Sequence, residues 1–476
     1  MKHLSLFAVI LVFIFVGMEC QQYSQSADPQ NKQQVEQDST SSIRPYEKNS
    51  RYWQYNNEPV LLLGGSVQDN LFQIPGVEEQ LNTLVSSGGN YVRNTMSSRD
   101  EGDVWEFKKG ENGKYDLTQL NEDYFQKFEQ LLKLAHKQNV IVQIELWDRF
   151  DFAREPWLSN PFRPVNNINY SSEEIGLQNE YPQHPGMNKN PFFRSVPAEN
   201  NNQQLLQYQE KRVNRILEIS FNYPNVLYTM DNETNANPNW GAYWSRFIKE
   251  KAEAAGVEVQ TTEMWDAWNL RDKEHKRTLD HPELYDFVDI SQNSHNTNQE
   301  HWENLQWARN YISDELRPLN NVKIYGSDEG EYGTQTDALE RFWRNIIGGA
   351  ASVRFHRPSS GIGLSKTAQI NITSARSFAS RFNLFIAQPD STSRLLGERS
   401  SDEAYLSFIP GKAYAIYFTD GGSVSLDLRE NPGTYSLTWL HIDNNSWSAP
   451  QQVNGDGWLQ LAPNRQGQWI ALVERK

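Results

Sequence analysis

Two acidic segments of the chain could supply the paired carboxyl groups that hydrolysis of a glycosidic bond requires. The first is residues 230–235, with the sequence MDNETN, and the second is residues 325–331, with the sequence YGSDEGE. One carboxylic acid must protonate the leaving oxygen, while one carboxylate attacks the sugar or activates water. Burial and mutual repulsion should raise the pKa of one carboxyl group and leave the other ionised.

The fold must bring these segments together, and the pattern of apolar runs predicts one that does. Between residues 58 and 388, eight short apolar runs are each followed by a helical pattern, which predicts an α/β fold of the (β/α)8 TIM-barrel type. The runs are 60–63, 90–93, 140–144, 226–230, 257–261, 287–290, 322–325 and 351–355. A doubly wound sheet is the alternative, but no Gly-rich phosphate turn follows an early strand. In a barrel, the segments after strands four and seven would face one another across the mouth.

The ends of the chain predict an exported protein with a second, smaller domain. An uncharged run follows Lys2 and His3, and we interpret residues 1–20 as a signal peptide of the lipoprotein type with Cys20 as the lipidation site. Ordinary cleavage is the alternative. Residues 21–45 are a polar, flexible linker, 46–388 the catalytic barrel, and 389–476 an all-β sandwich. The expected location is the cell envelope, as an outer-membrane lipoprotein or in the periplasm, with membrane contact only through the anchor.

The amino-acid composition indicates which class of ligand the protein binds. The net charge is −15, which argues against a nucleic-acid partner. Aromatic residues make up 12% of the chain, including 15 Trp, and such a composition suits a protein that stacks sugar rings. A carbohydrate is therefore the expected partner. With a single Cys and no His-Glu-x-x-His stretch, we expect neither a metal site nor a cofactor.

The motifs resemble those of the clan-A glycoside hydrolases, which carry one Glu after strand four and another after strand seven. The resemblance implies that Glu233 is the acid/base and that Asn232 contacts a sugar hydroxyl. It also implies that Arg93 hydrogen-bonds the nucleophile and that His295 lies at the site. Over residues 45 to the end, the chain is similar to barrel-plus-sandwich glycosidases of Bacteroidetes, including apiosidase-like enzymes, whose C-terminal domain is called collagen-binding-like.

The chain departs from that family pattern in two places. Asp328, Glu329 and Glu331 are all candidates for the nucleophile, and Glu329 is favoured because it lies closest to the expected strand end. The eighth strand ends in residues 354–357 (RFHR) instead of the usual Trp, so Arg354 and His356 become candidate substrate contacts.

Further candidates follow the third and fifth strands, each with a structural alternative. Glu145, Trp147 and Trp265 are candidate substrate contacts. Alternatively, Glu145 and Asp148 form ion pairs with Arg149 or Arg154, and Glu233 caps the helix predicted over residues 239–255.

Six arginines lie at or just after predicted strand ends. They would suit an anionic glycan, or else would pair with local carboxylates; they are Arg93, Arg149, Arg154, Arg163, Arg354 and Arg357.

The sequence thus predicts a retaining glycoside hydrolase that acts on a plant or algal polysaccharide or oligosaccharide. Retention requires carboxyl groups about 5 Å apart, whereas about 6.5–9.5 Å would indicate inversion. The alternative is a non-catalytic, glycan-binding lipoprotein with a degenerate barrel. A polysaccharide lyase is a more distant alternative because the sequence does not reveal a Tyr, His or Lys base.

Overall fold

A computed structural model describes residues 42–187, 189–327, 332–358 and 360–476 of the chain. The predicted signal peptide, Cys20 and most of the linker lie outside the described residues. So do the three nucleophile candidates Asp328, Glu329 and Glu331. Their roles stay predictions.

The described strands fall into an N-terminal sheet, a barrel with an added hairpin, and C-terminal sheets. The N-terminal strands are β1 (Arg44–Tyr46), β2 (Asn49–Tyr55) and β3 (Glu58–Val60). The barrel region contains β4 (Leu62–Gly65), β5 (Tyr91–Thr95), β6 (Phe107–Lys109), β7 (Tyr115–Leu120), β8 (Ile141–Asp148), β9 (Val226–Asn232), β10 (Thr261–Thr262), β11 (Val288–Asp289), β12 (Leu319–Ile324) and β13 (Ser352–Phe355). The C-terminal strands are β14 (Gln388–Pro389), β15 (Leu396–Gly397), β16 (Ala404–Ile409), β17 (Ala413–Phe418), β18 (Val424–Asp427), β19 (Thr434–His441), β20 (Ser446–Trp447), β21 (Gln451–Asn454), β22 (Trp458–Leu461) and β23 (Trp469–Arg475).

The α-helices of the described residues all precede the C-terminal sheets. They are α1 (Val77–Ser86), α2 (Glu122–Lys137), α3 (Arg154–Ser159), α4 (Ser172–Ile175), α5 (Gln203–Ser220), α6 (Pro238–Ala255), α7 (Lys273–Leu279), α8 (Asn298–Tyr311), α9 (Gln335–Ile347) and α10 (Lys366–Ala379). No helix of the described residues is long and apolar enough to span a bilayer.

The described barrel strands form one parallel sheet of eight strands, and the fold prediction is confirmed. The order in space is β10-β9-β8-β5-β4-β13-β12-β11. The sheet is nearly closed, because Asp286 N donates to Thr261 O at 2.8 Å across the gap between β10 and β11. All eight residues of β8 are buried, as expected for a strand covered on both faces.

Helix α6 begins shortly after Glu233, and the residue that caps it shows whether Glu233 has that role. Asn237 caps the helix, since its side chain accepts a hydrogen bond from Asn239 N at 3.0 Å, and Pro238 occupies the first turn. The interpretation of Glu233 as the helix cap is therefore wrong. Its side chain points into the barrel mouth instead.

The C-terminal strands form the predicted sandwich, with a large antiparallel sheet (β14-β16-β17-β23-β19-β20, with β21 beside β19) and a small one (β15-β18-β22). Their facing side chains bury a separate apolar core. The larger sheet packs on the barrel helices α9 and α10. Trp343 stacks on Tyr417 at 6.1 Å, Arg344 pairs with Asp402 at 2.8 Å, and the barrel and sandwich lie in one compact unit.

Candidate active site

A cavity of about 170 Å³ opens at the carboxyl ends of the barrel strands, where the acidic segments were expected. Its charged lining residues are Asp69, Arg93, Arg99, Glu233, Lys323 and Arg357. The remaining lining residues are uncharged or aromatic, namely Phe150, Asn232, Tyr325, Tyr332, His356 and Ser360.

Glu233 lies directly after β9 and is held by three side chains on one oxygen. Its Oε1 accepts hydrogen bonds from Lys323 Nζ at 2.5 Å, Tyr325 Oη at 2.9 Å and Gln292 Nε2 at 3.0 Å. The backbone of Glu233 has φ of 52°, in the left-handed region, which costs a non-glycine residue about 1–2 kcal/mol. Strain of this kind persists where the surroundings over-determine a side chain's position, as these three contacts do.

The protonation state of Glu233 is set by the groups around its carboxylate. Burial favours the neutral form, but the charge and hydrogen bond of Lys323, aided by Tyr325 and Gln292, hold the pKa of Glu233 far below its ordinary value. Glu233 is therefore ionised at neutral pH in this arrangement. Whether the second carboxyl group of the expected pair has a raised pKa stays a prediction, because Asp328, Glu329 and Glu331 lie outside the described residues.

Asp69, in the loop after the first barrel strand, is the second carboxylate of the cavity. Its Oδ1 lies 2.7 Å from Arg93 Nη1 and 3.5 Å from His356 Nδ1, and its Oδ2 lies 3.1 Å from Arg357 Nε. Burial opposes ionisation, but Arg93, His356, Arg354 and Arg357 together hold the pKa of Asp69 well below its ordinary value. Both described carboxylates of the cavity are thus anions that are neutralised by adjacent cations.

Arg93 lines the cavity as expected, but its main partner is Glu145. Arg93 Nε and Nη2 donate to the two carboxylate oxygens of Glu145, each at 2.6 Å. Glu145 is fully buried, so its prediction as a substrate contact is corrected to that of a group that orients Arg93. The alternative pairing with Arg149 or Arg154 is also wrong, since Asp148 pairs with Arg99.

Asn232 lines the cavity beside Glu233, with both ends of its amide engaged. Its Nδ2 donates to Asp148 Oδ1 at 3.0 Å, and its Oδ1 accepts a short hydrogen bond from Lys323 Nζ. Lys323 therefore links Asn232 to Glu233. Contact of Asn232 with a sugar hydroxyl stays a prediction.

Trp147 and Trp265 are core residues, and their predicted contact with substrate is corrected. Trp147 is 1% exposed and packs against Trp244 at 5.4 Å, Phe192 at 5.3 Å and the guanidinium of Arg212 at 4.4 Å. The long connection after β8 supplies Phe192 and so covers Trp147 instead of leaving it open.

Trp265 is enclosed in a similar way. Its side chain is 2% exposed and donates to Thr278 Oγ1 at 2.7 Å, and the Arg277 guanidinium lies over its ring. Neither tryptophan lines the cavity.

The residues around the eighth strand divide into one that lines the cavity and one that does not. His356 lines it, whereas Arg354 is fully buried and donates to Val322 O at 2.6 Å and to Ser66. Arg354 braces the first and seventh strands, so its prediction as a substrate contact is corrected. His295 lies one ring behind the cavity, 5.0 Å from Tyr325 and 4.7 Å from Tyr332.

The predicted strand-end arginines mostly satisfy protein groups. Arg149 Nε lies 2.6 Å from Asp231, and Arg163 donates to the carbonyls of Asn179 and Leu158. Arg93 and Arg357 both pair with Asp69. These contacts favour pairing of the arginines with local carboxylates over binding of an anionic glycan.

The sequence did not point to Lys323, Asp69, Arg99 or Gln292 as site residues. Lys323 and Tyr325 are two positions apart, and residues so spaced on a strand share a face. That alternation, at the end of strand seven, was the one available signal. The described residues contain no group of His, Cys, Asp and Glu suited to hold a metal ion.

Solved structures share this fold at low sequence identity. A glycoside hydrolase family 5 protein from Bacteroides vulgatus ATCC 8482 matches with a TM-score of 0.63 and 12% identity, over 92% of this chain and 93% of that chain. A second glycoside hydrolase matches with the same TM-score and identity, over 92% and 98%. An endo-1,4-β-mannanase from Rhizomucor miehei matches with a TM-score of 0.50 and 12% identity, over 72% and 100%.

At these identities the likeness shows the fold alone, a TIM barrel. No protein-family model and no curated protein matches the chain.

Proposed function

We propose that the protein is a glycoside hydrolase that cleaves a polysaccharide or oligosaccharide with Glu233 as one of its two essential carboxyl groups. The observation that carries this proposal is the position of Glu233. It follows the fourth barrel strand, lines the cavity at the mouth and is held there against backbone strain. The shared barrel fold of known glycoside hydrolases supports the same class of reaction.

In the proposed retaining mechanism, Glu233 protonates the leaving oxygen while Glu329 attacks the sugar, and Glu233 then activates the water that releases the product. The ionised state that Lys323 imposes suits the second of these steps. For the first, Glu233 must take up a proton. The negative charge of a nucleophile close by would favour that uptake, since a like charge raises the pKa of a carboxyl group.

The chain's own residues would assist in defined ways. Tyr325 and Lys323 bind one carboxylate oxygen of Glu233, Oε1, so that Oε2 would be the oxygen that acts on the substrate. Tyr325 does not fit the base that a polysaccharide lyase would need, because burial and the charge of Glu233 raise its pKa well above the ordinary value. We also propose export and lipidation at Cys20, which would place the enzyme among extracellular glycans.

A second candidate is a glycan-binding protein without turnover. The ion pair between Lys323 and Glu233 favours it, because a carboxylate neutralised by a lysine is a poor proton donor. The two candidates differ in one respect that can be measured directly. A binding protein would retain a glycan without releasing any product.

The experiment measures product release from a panel of neutral and acidic plant and algal oligosaccharides. We expect the wild type to release product and Glu233→Gln to lose activity by a factor of about 10² or more. Glu253→Gln, at an exposed position of α6, is the matched control and should retain activity. Equal activity of wild type and Glu233→Gln would overturn the role of Glu233, and binding without product would favour the second candidate.

Two further measurements test the retaining mechanism. Proton NMR of the newly formed anomer should show retained configuration. A 2-deoxy-2-fluoro glycoside of the cleaved sugar should become attached to Glu329, and attachment to Asp328 or Glu331 would reassign the nucleophile.

A further inference from the structure

Trp268 is an unusually exposed aromatic residue at the barrel mouth. It lies in the loop between β10 and α7, and 56% of its surface is accessible. Large side chains of this type are normally buried, as are Trp147 and Trp265 in the same molecule. An exposed tryptophan at the end of the barrel where ligands bind is therefore a candidate ligand contact.

One face of the Trp268 ring is covered and held. The ring stacks on His295 with centroids 4.2 Å apart and planes 8° from parallel. Asn296 Nδ2 donates to the Trp268 carbonyl at 2.8 Å and so fixes the backbone. With one face on His295, the accessible surface belongs to the opposite face and the ring edge.

The covered face connects Trp268 to the cavity. His295 packs edge-on against Tyr325 at 5.0 Å and against Tyr332 at 4.7 Å, and both tyrosines line the cavity. Tyr325 in turn donates to Glu233 at 2.9 Å. Trp268 is thus joined to the candidate active site by two successive ring contacts.

The chemistry of this surface fits a sugar ring. A pyranose presents axial C–H groups on its faces, and a flat, rigid indole buries them at a low cost in side-chain entropy. The indole N–H forms no hydrogen bond with another described residue, so it can donate to a hydroxyl at the ring edge. Burial lowers the pKa of His295 to about 4, so the stack is uncharged at neutral pH.

We infer that Trp268 is a platform for a sugar unit of a ligand whose adjoining units occupy the cavity beside Glu233. The inference rests on the proposed function and adds that the ligand is an oligosaccharide chain longer than the cavity. A disaccharide is held in the cavity alone, whereas a longer chain also covers Trp268.

Oxidative footprinting provides the test, because the exposed tryptophans of the described residues are Trp268 and Trp458. Trp458, 47% exposed in the C-terminal sheets, is the internal control. The full-length Glu233→Gln protein is oxidised with and without disaccharides and hexasaccharides of mannan, cellulose and polygalacturonate. The hexasaccharide that binds should protect Trp268 and leave Trp458 as reactive as before.

Binding measurements on variants complete the test. Trp268→Ala should weaken hexasaccharide binding about 5- to 20-fold and leave disaccharide binding unchanged, Trp268→Phe should recover part of the loss, and Trp458→Ala should have no effect. The inference is overturned if Trp268 stays fully reactive in a bound complex, or if no hexasaccharide binds more tightly than its disaccharide. Protection of Trp268 without hydrolysis by the wild type would uphold the platform and contradict the proposed hydrolase.

Discussion

At the scale of single residues, Lys323 has the largest influence on the candidate site. Its ammonium group is almost fully buried, donates to Glu233 and Asn232, and lies at the end of strand seven opposite both. A buried ion pair of this kind is costly to break, because the remaining charge has no compensating partner.

Removal of Lys323 should therefore reveal the protonation equilibrium of Glu233. We expect Lys323→Met to lower the free energy of unfolding by about 3–5 kcal/mol at about pH 8, because an unpaired carboxylate stays buried. At about pH 5 the loss should be smaller, since without Lys323 burial raises the pKa of Glu233 and the group takes up a proton. Denaturant unfolding of wild type and Lys323→Met at the two pH values measures both losses of unfolding free energy.

The control is the double variant Lys323→Met with Glu233→Gln, which removes both charges. Its loss of stability at about pH 8 should be smaller than that of Lys323→Met alone. With the single variant Glu233→Gln measured as well, the loss of the double variant minus the summed losses of the two single variants gives the coupling energy of the pair. An equal loss from Lys323→Met at both pH values would contradict the ion-pair account.

These contacts also show why the site was only partly predictable. Glu233, Asn232 and Arg93 lie in or directly after strands that are visible in the sequence as apolar runs, so their place at the mouth could be predicted. Lys323 meets Glu233 across 90 positions of chain, and no local pattern encodes such a pairing. Trp147 was misassigned because a strand-end position does not reveal that the following connection folds back and covers it.

At the scale of secondary-structure elements, helix α6 packs against a buried carboxyl group that is hydrogen-bonded to the strand before Glu233. Gly241, in its first turns, lies against the buried carboxyl group of Glu263, and a Cβ atom there would meet Glu263 Oε2 at 2.0 Å and Tyr285 Oη at 2.9 Å. Glu263 Oε1 accepts a hydrogen bond from Asp231 N at 3.1 Å, two residues before Glu233.

This close approach predicts a result opposite to helix propensity. Ala is favoured over Gly in a helix by about 1 kcal/mol, yet we expect Gly241→Ala to be destabilising by about 1–3 kcal/mol because the methyl group displaces Glu263. Urea unfolding measures the change. Gly457→Ala, where a Cβ would meet no atom within 4 Å, is the control and should stay within about 0.5 kcal/mol of wild type. A stabilised Gly241→Ala protein would show that Glu263 moves aside freely.

The elements themselves were more predictable than their contacts. Each barrel strand overlaps a short apolar run that stands out against polar helices and loops. The parallel order follows from the alternation of strand and helix. The fifth strand was predicted at 257–261, whereas β10 contains only Thr261 and Thr262; the alternating Val257 and Val259 that suggested a longer strand are only partly buried. Two-residue strands such as β15 and β20 carry no periodicity to detect.

At the scale of the whole molecule, the barrel encloses carboxyl groups whose folded-state titration differs from that of the unfolded chain. Burial raises the pKa of Asp289 to about 7, and burial with the charge of Glu233 raises that of Asp266 to about 7. Asp231, beside Arg149 and Glu263, is shifted in the same direction, chiefly by burial. The folded protein therefore binds protons that the unfolded chain has already released.

The sign of the resulting pH dependence follows from this difference. The stabilisation is fully present below the ordinary Asp pKa and is lost as pH rises through about 7. His295 acts in the opposite sense, since its pKa is lowered to about 4 and its contribution is lost as pH falls from 6.5 towards 4. The two effects oppose one another below about pH 6.5, and only the carboxyl effect continues above it.

We therefore expect the free energy of unfolding to fall as pH rises from about 6.5 to about 8. Asp289→Asn should flatten part of this slope, because the amide keeps the hydrogen bond from Ser291 N at 2.9 Å but does not titrate. Denaturant unfolding at several pH values in this range measures the slope, with Asp280→Asn at the surface as the control. A slope that is flat or rising in the wild type would mean that the buried carboxyl groups release their protons without loss of stability, and the barrel interior would then be far more polar than its packing indicates.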